Sequence, residues 1–115
     1  MKIPIKPLSV NRCWQGKRFK TKEYNRYCQD VSLLLKAFNE NVQEKIENKP
    51  YEILYVFWIK NWKMLDIDNP IKPITDILVA NRVIPDDRFI MKMSIEKREA
   101  KTRDDEGIGF EWRYI

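Results

Sequence analysis

The sequence predicts an α+β fold, in which a small sheet, mainly antiparallel or mixed, packs with two principal helices. Three observations predict it: two segments repeat apolar residues at helical spacing, residues 51–59 are a continuous β-prone apolar run, and the C-terminal part alternates between apolar and other residues. With 115 residues the chain has the length of one domain, so we expect a single domain over residues 1–115.

The first twenty residues are expected to be extended or irregular. Residues 3–10 are apolar but contain Pro4 and Pro7, and proline cannot donate to a sheet ladder, so they predict an edge strand or an extended arm. Residues 11–20 have one glycine and no apolar periodicity, which predicts an exposed loop.

The first helix is predicted to follow Thr21, a residue type that favours the N-cap position. We expect the helix to run to about residue 40, or onward to the polar segment before Pro50. Apolar residues recur along it at steps of three and four, as is typical of an amphipathic helix on a sheet: Tyr24, Tyr27, Cys28, Val31, Leu34, Leu35 and Phe38.

Residues 51–59 are apolar on both alternating faces, which predicts a central strand covered on both sides by helix, sheet or another subunit. After a polar stretch, the second helix is predicted from about residue 70 to residue 80. Asn69 is a possible N-cap, and Pro70 suits the first helical position. Asn81 can end this helix.

Two strands are predicted beyond a turn at residues 82–87. Residues 89–98 alternate as one strand, and residues 108–115 form the other. We expect these two strands to pair as a β-hairpin. The second strand places four apolar residues on one face: Ile108, Phe110, Trp112 and Tyr114.

Composition narrows the classes of function. The net charge of +5 favours polyanionic partners such as nucleic acid or an anionic membrane. We expect neither a signal peptide nor a membrane-spanning segment. The absence of histidine excludes Ser-His-Asp and Cys-His nucleophile systems and histidine-bound zinc. Cys13 and Cys28 are expected to be free thiols in a reducing cytoplasm.

The segment Asp66-Ile-Asp68-Asn69 contains a candidate metal site. Residues two apart in an extended segment point the same way, so Asp66 and Asp68 can face one ion. Mg²⁺ commonly binds one or two carboxylates together with water and a substrate phosphate. Lys72 follows Asp68 by four residues, so one helical turn would bring its ammonium beside these acids. Alternatively, the acids only cap the electropositive start of the helix.

Asp86 and Asp87 follow Pro85 in the predicted turn. The preceding helix is about three turns long, so the chain could return near the start of that helix. Aspartates in turns commonly cap or face solvent, and both interpretations stay open from the residues alone.

A basic segment, residues 12–26, is a candidate nucleic-acid interface. Cations can neutralise phosphates, and exposed rings such as Trp14 and Phe19 can stack on unpaired bases, whereas Tyr24 is expected to pack beneath the helix. The alternative is a solvated basic loop whose rings lie in the core. The candidate DNA-binding residues are Arg12, Lys17, Arg18, Lys20, Lys22 and Arg26.

The chain resembles the RusA family of phage and prophage Holliday-junction resolvases. The residues that carry the resemblance are Asp66-Ile-Asp68-Asn69, Lys72, Asp76 and Asn81-x-Val83-x-x-Asp86-Asp87, with a similar opening at Ser9-Val-Asn11-Arg12.

This resemblance implies a Mg²⁺-dependent endodeoxyribonuclease, with Mn²⁺ able to substitute, that needs no organic cofactor. It implies a homodimer that cuts four-way junctions in a bacterial cytoplasm. It also implies that Asp66, Asp68 and Asp87 bind the metal and act with Lys72 in catalysis. Three alternatives are a broader nuclease for branched DNA, a non-catalytic DNA-binding module, and a ribonuclease or toxin-like enzyme.

Overall fold

A mixed four-stranded sheet organises the structure, a computed structural model that describes residues 1–16, 19–39 and 46–115. The helices of these residues are α1 (Lys22–Asn39) and α2 (Ile71–Ala80). The main sheet has the order β1-β6-β4-β5, and β2 pairs with β3 in a separate ribbon. The predicted α+β class with two helices is confirmed. The strands are β1 (Lys2–Ile3), β2 (Trp14–Gln15), β3 (Phe19–Lys20), β4 (Tyr51–Ile59), β5 (Ile90–Glu99) and β6 (Gly107–Tyr114).

Strand β4 is central, as predicted, with β5 parallel on one side and β6 antiparallel on the other. Its odd-numbered residues, from Tyr51 to Ile59, are buried on the face that packs against α2. Its even-numbered residues lie on the opposite face, where Leu54 is exposed. Within the described part of the chain, the expected cover by helix is therefore found on one face of β4.

The predicted hairpin between the last two strands is wrong, because β4 lies between β5 and β6. The connection between them passes the end of β4 instead of turning tightly. There the Ala100 N–H donates to the Ile59 carbonyl at 3.0 Å, and the Lys60 N–H donates to the buried Glu106 carboxylate at 3.2 Å. Apolar alternation gives the faces of a strand but not its neighbours. The sheet is mixed, as the prediction allowed, with β4–β5 parallel and the β1–β6 and β4–β6 pairs antiparallel.

The start of α1 agrees with the prediction from the sequence, whereas the start of α2 differs from it. Thr21 caps α1, since its hydroxyl accepts the Tyr24 N–H at 3.1 Å. Helix α2 begins at Ile71 with Pro70 at the cap position, so the prediction of Asn69 as N-cap and Pro70 as first helical residue is wrong. The Asn69 N–H instead donates to the Asp66 carbonyl at 3.1 Å, which closes a separate turn before the helix.

The other expectations for secondary structure are mostly met. Strand β1 pairs with β6 at the sheet edge, but of the predicted residues 3–10 only Ile3 belongs to it. Residues 4–9 of that range are irregular, as an arm interrupted by prolines can be. The predicted loop over residues 11–20 contains the β2–β3 ribbon. Helix α1 is described to Asn39, which agrees with the expected end near residue 40. The alternative, a continuation toward Pro50, falls in part on residues 40–45, which lie outside the described residues. Both cysteines are free, and no helix of the described residues is long and apolar enough to cross a membrane.

Candidate active site

Lys72, in the first turn of α2, lies between two carboxylates. Its Nζ is 2.8 Å from Asp76 Oδ1 and 3.6 Å from Asp87 Oδ2. Asp76 is the residue one helical turn further on, whereas Asp87 follows the turn that leaves α2, so the chain does return near the start of this helix. The hydrogen bond to Asp76 and the nearby charges raise the pKa of Lys72, and its ammonium is therefore charged at neutral pH.

Asp86 and Asp87 are adjacent in sequence but have different partners. The Asp86 carboxylate accepts the Arg88 backbone N–H at 3.0 Å and its Nε–H at 3.2 Å, and these bonds hold the pKa of Asp86 below its ordinary value. Asp87 instead faces Lys72. Of the two aspartates, Asp87 is the one that shares a site with the lysine.

Buried tyrosines of β4 hold both segments that form this site. The Tyr51 hydroxyl donates to the Pro85 carbonyl at 2.8 Å, directly before Asp86, and the Tyr55 hydroxyl bonds to Thr75 Oγ1 at 2.7 Å in α2. Burial, followed by the charges of Asp87 and Asp86, raises the pKa of Tyr51 to about 12, so its hydroxyl remains a donor. Sequence reasoning missed these tyrosines, although buried phenols in an apolar strand need hydrogen-bond partners.

We expect Tyr51→Phe to lower the free energy of unfolding by about 1–2 kcal/mol, because it leaves the buried Pro85 carbonyl without its donor. Urea denaturation measures this change. Tyr114→Phe is the control: Tyr114 bonds to the exposed backbone of Glu47, where water can replace the hydroxyl. Equal stability of wild type and Tyr51→Phe would contradict the assigned role of this bond.

Asp66 and Asp68 are exposed in the loop before α2. The expectation that Lys72 lies beside them differs from the structure, in which Lys72 pairs with Asp76 and Asp87. The reason is the helix start: α2 begins at Ile71, so Asp68 precedes the helix and the one-turn geometry relates Lys72 to Asp76.

The described residues contain no group of three or more acidic or cysteine side chains that could hold one metal ion. Asp66, Asp68 and Asp87 therefore do not form a closed three-carboxylate site within the chain, and their role as metal ligands stays a prediction. The donors are nevertheless hard oxygens, and the Lys72 ammonium shows that a cation is stable beside Asp76 and Asp87. These residues fit Mg²⁺ held by one or two carboxylates and completed by water and phosphate oxygens.

The basic segment presents cations and rings to solvent. Trp14 is 47% exposed and Phe19 is 73% exposed, whereas Tyr24 is buried, as expected. The ion pairs of Arg12 with Glu23 and of Arg26 with Asp30 are both long, at 3.8 Å, and exposed, so they hold these cations weakly. Lys20 and Lys22 are exposed. The candidates Lys17 and Arg18 lie outside the described residues.

The segment between β4 and α2, residues 60–70, is called the acidic loop because it bears Asp66 and Asp68. A groove of about 600 Å³ lies between the basic segment and this acidic loop. Arg12 and Arg26 line one side, and Leu65 and Asn69 line the other. The two sides are joined by a hydrogen bond from the Val10 N–H to the Asn69 carbonyl at 2.9 Å. Two candidate DNA-binding residues, Arg12 and Arg26, therefore lie across this groove from Leu65 and Asn69, which flank Asp66 and Asp68 in sequence.

A comparison with known families gives a match to one family model. The family model described as Endodeoxyribonuclease RusA matches residues 4–106, which include the basic segment, the acidic loop, α2 and the turn that bears Asp87. A comparison with curated proteins gives no match.

Proposed function

The chain belongs to the RusA endodeoxyribonuclease family, and we propose that it resolves four-way DNA junctions by paired, symmetric, Mg²⁺-dependent hydrolysis of phosphodiester bonds. The structural observation that carries this proposal is the position of Lys72 between Asp76 and Asp87. This charged cluster includes the start of the helix that follows the Asp66–Asp68 loop, and Leu65 and Asn69 of that loop line a groove opposite basic side chains. A site that combines acids with one ammonium suits an anionic substrate together with a divalent cation.

Each residue has a separate role in this proposal. Asp66, Asp68 and Asp87 would supply the carboxylate oxygens, of which one or two would hold the metal and the others would accept from the attacking water. Bound Mg²⁺ supplies charge neutralisation at phosphorus and a water of lowered pKa. Lys72 stabilises negative charge on the phosphate oxygens, and Asp76 holds its ammonium in place. In the proposed step, water attacks phosphorus and the P–O3′ bond breaks. The departing 3′-oxygen takes a proton, so the products carry a 5′-phosphate and a 3′-hydroxyl.

DNA recognition in this proposal depends on phosphate contacts and on shape. Arg12, Lys20, Lys22 and Arg26 are exposed and can bind phosphates. Of these four, Arg12 and Arg26 line the groove. A homodimer suits a four-way junction because identical surfaces meet equivalent strands of a nearly two-fold substrate. We also propose that the protein acts in a bacterial cytoplasm and comes from a phage or a prophage.

The test compares a synthetic four-way junction, a fork and a matched linear duplex, each with and without Mg²⁺. We expect paired nicks with 5′-phosphate ends in the junction, only with Mg²⁺, and at symmetry-related positions. Equal rates on the fork would favour a broader nuclease for branched DNA. Junction binding without cleavage would favour a binding module, and degradation of RNA alone would favour a ribonuclease.

A further inference from the structure

Lys97 occupies a position on β5 where the alternation predicts an apolar residue. It is in register with buried Phe57 of β4, on the face that also carries the partly buried Met93 and Ile95. A lysine can occupy such a place when its stem packs along the sheet and its ammonium reaches polar partners at the rim. The partners of this ammonium therefore indicate why the chain has lysine here.

The Lys97 ammonium binds two backbone carbonyls of the loop that leads to Asp66. Its Nζ is 2.7 Å from the Trp62 carbonyl oxygen and 2.7 Å from the Leu65 carbonyl oxygen. The second of these carbonyls belongs to the peptide that joins Leu65 to Asp66. Within the described ranges Lys97 has no carboxylate partner within salt-bridge distance, so its charge is directed at this loop.

The other end of the loop has anchors of its own. The Asn69 carbonyl accepts the Val10 N–H at 2.9 Å, and the Ile71 N–H donates to the Asp68 carbonyl at 3.2 Å where α2 begins. The side chains of Asp66 and Asp68 are exposed, so packing does not orient them. Their direction depends on how firmly the backbone is held on both sides.

We propose that Lys97 is a positioning residue of the candidate active site, which fixes the backbone before Asp66 by its two carbonyl bonds and thereby aims Asp66 and Asp68. This inference rests on the proposed function. It assigns Lys97 a different role from Lys72, whose ammonium lies among carboxylates. It also differs from a phosphate contact, because two of the three donors of this ammonium are used on the backbone carbonyls of the loop.

Lys97→Met tests this proposal, because methionine keeps most of the stem and removes every donor. Hydrogen exchange measured by mass spectrometry should become faster in peptides covering residues 60–69 and stay unchanged in β4. Single-turnover cleavage of the junction should fall about 10- to 100-fold, since small misplacements of catalytic groups cost this much. Junction affinity measured without Mg²⁺ should change less than about twofold, because no phosphate contact is lost.

Two further variants make the comparison specific. Unlike Lys97→Met, Lys97→Arg should keep most of the wild-type protection from hydrogen exchange and most of the cleavage activity, because a guanidinium can donate to both carbonyls. Lys92→Met is the matched control: it removes the same charge from the same strand, at an exposed position. It should change neither exchange nor the cleavage rate.

Unchanged exchange over residues 60–69 in Lys97→Met would overturn the proposal. Weaker junction binding, with a salt dependence reduced by about one phosphate contact, would assign Lys97 to DNA binding instead. If wild type cuts no branched DNA, the proposed function fails, but the exchange experiment still decides whether Lys97 anchors the loop. If Lys97→Met does not fold, Lys97→Gln takes its place in the exchange comparison, because glutamine loses the charge but keeps one amide. That comparison then decides whether Lys97 anchors the loop.

Discussion

Asp68→Asn is expected to reduce single-turnover cleavage of a four-way junction by about 10³-fold or more, while junction binding is kept or becomes tighter. The substitution keeps the shape of the side chain and removes one anionic oxygen ligand. Asp68 is exposed, so we expect little effect on folding. Binding should tighten at low salt because one negative charge near the phosphates is lost, and this gain should shrink as salt rises.

The control for this substitution is Asp104→Asn, which removes the same charge from the exposed connection between β5 and β6. It should leave cleavage and binding unchanged. Cleavage is measured with protein in excess over labelled junction, and binding by titration without Mg²⁺. Normal cleavage by Asp68→Asn would remove this carboxylate from the mechanism, and loss of both activities would count against a purely catalytic role.

Features that depend on nearby residues could be predicted from the sequence. The helical spacing of apolar residues located α1, and the hydroxyl of Thr21 identified its cap. The length of the second helix allowed the chain to return near the start of that helix, and the contact between Lys72 and Asp87 agrees with this possibility. These features follow from helix geometry over a few turns.

Features that depend on distant residues could not be predicted in the same way. The insertion of β4 between β5 and β6 is a choice among partners that alternation does not encode. The bond from Tyr51 to Pro85 and the bonds from Lys97 to the acidic loop join segments more than thirty residues apart. A polar residue at an inward-facing strand position is the signal that could have identified both Tyr51 and Lys97.

The partner of Lys72 depends on whether Asp68 lies inside the helix, because the one-turn geometry relates residues of the same helix. The actual start at Ile71 leaves Asp68 in the preceding turn and makes Asp76 the one-turn neighbour. The motif therefore identified the residues of the site more reliably than it identified their pairing.

Lys72→Met is expected to lower the rate of junction cleavage by about 10²- to 10³-fold, with junction affinity changed less than about threefold. The ammonium is the positive charge that Asp76 and Asp87 share, and its loss removes stabilisation of negative charge at the phosphate. Lys72→Arg should recover only part of the rate, because a guanidinium has a different shape and donor geometry. Lys36→Met, at an exposed position of α1, is the charge-matched control and should cleave normally.

Asp76→Asn then separates positioning from chemistry. If Asp76 acts by holding the Lys72 ammonium at 2.8 Å, its substitution should cost about tenfold in wild type and almost nothing in Lys72→Met, which a double-mutant cycle measures. Equal costs in both backgrounds would show that Asp76 acts independently of Lys72. The pH profile adds a check: the pKa of Lys72 is raised above its ordinary 10.5, so its charge is lost only above that pH. A decline in activity between about pH 7 and pH 9 would therefore report another group.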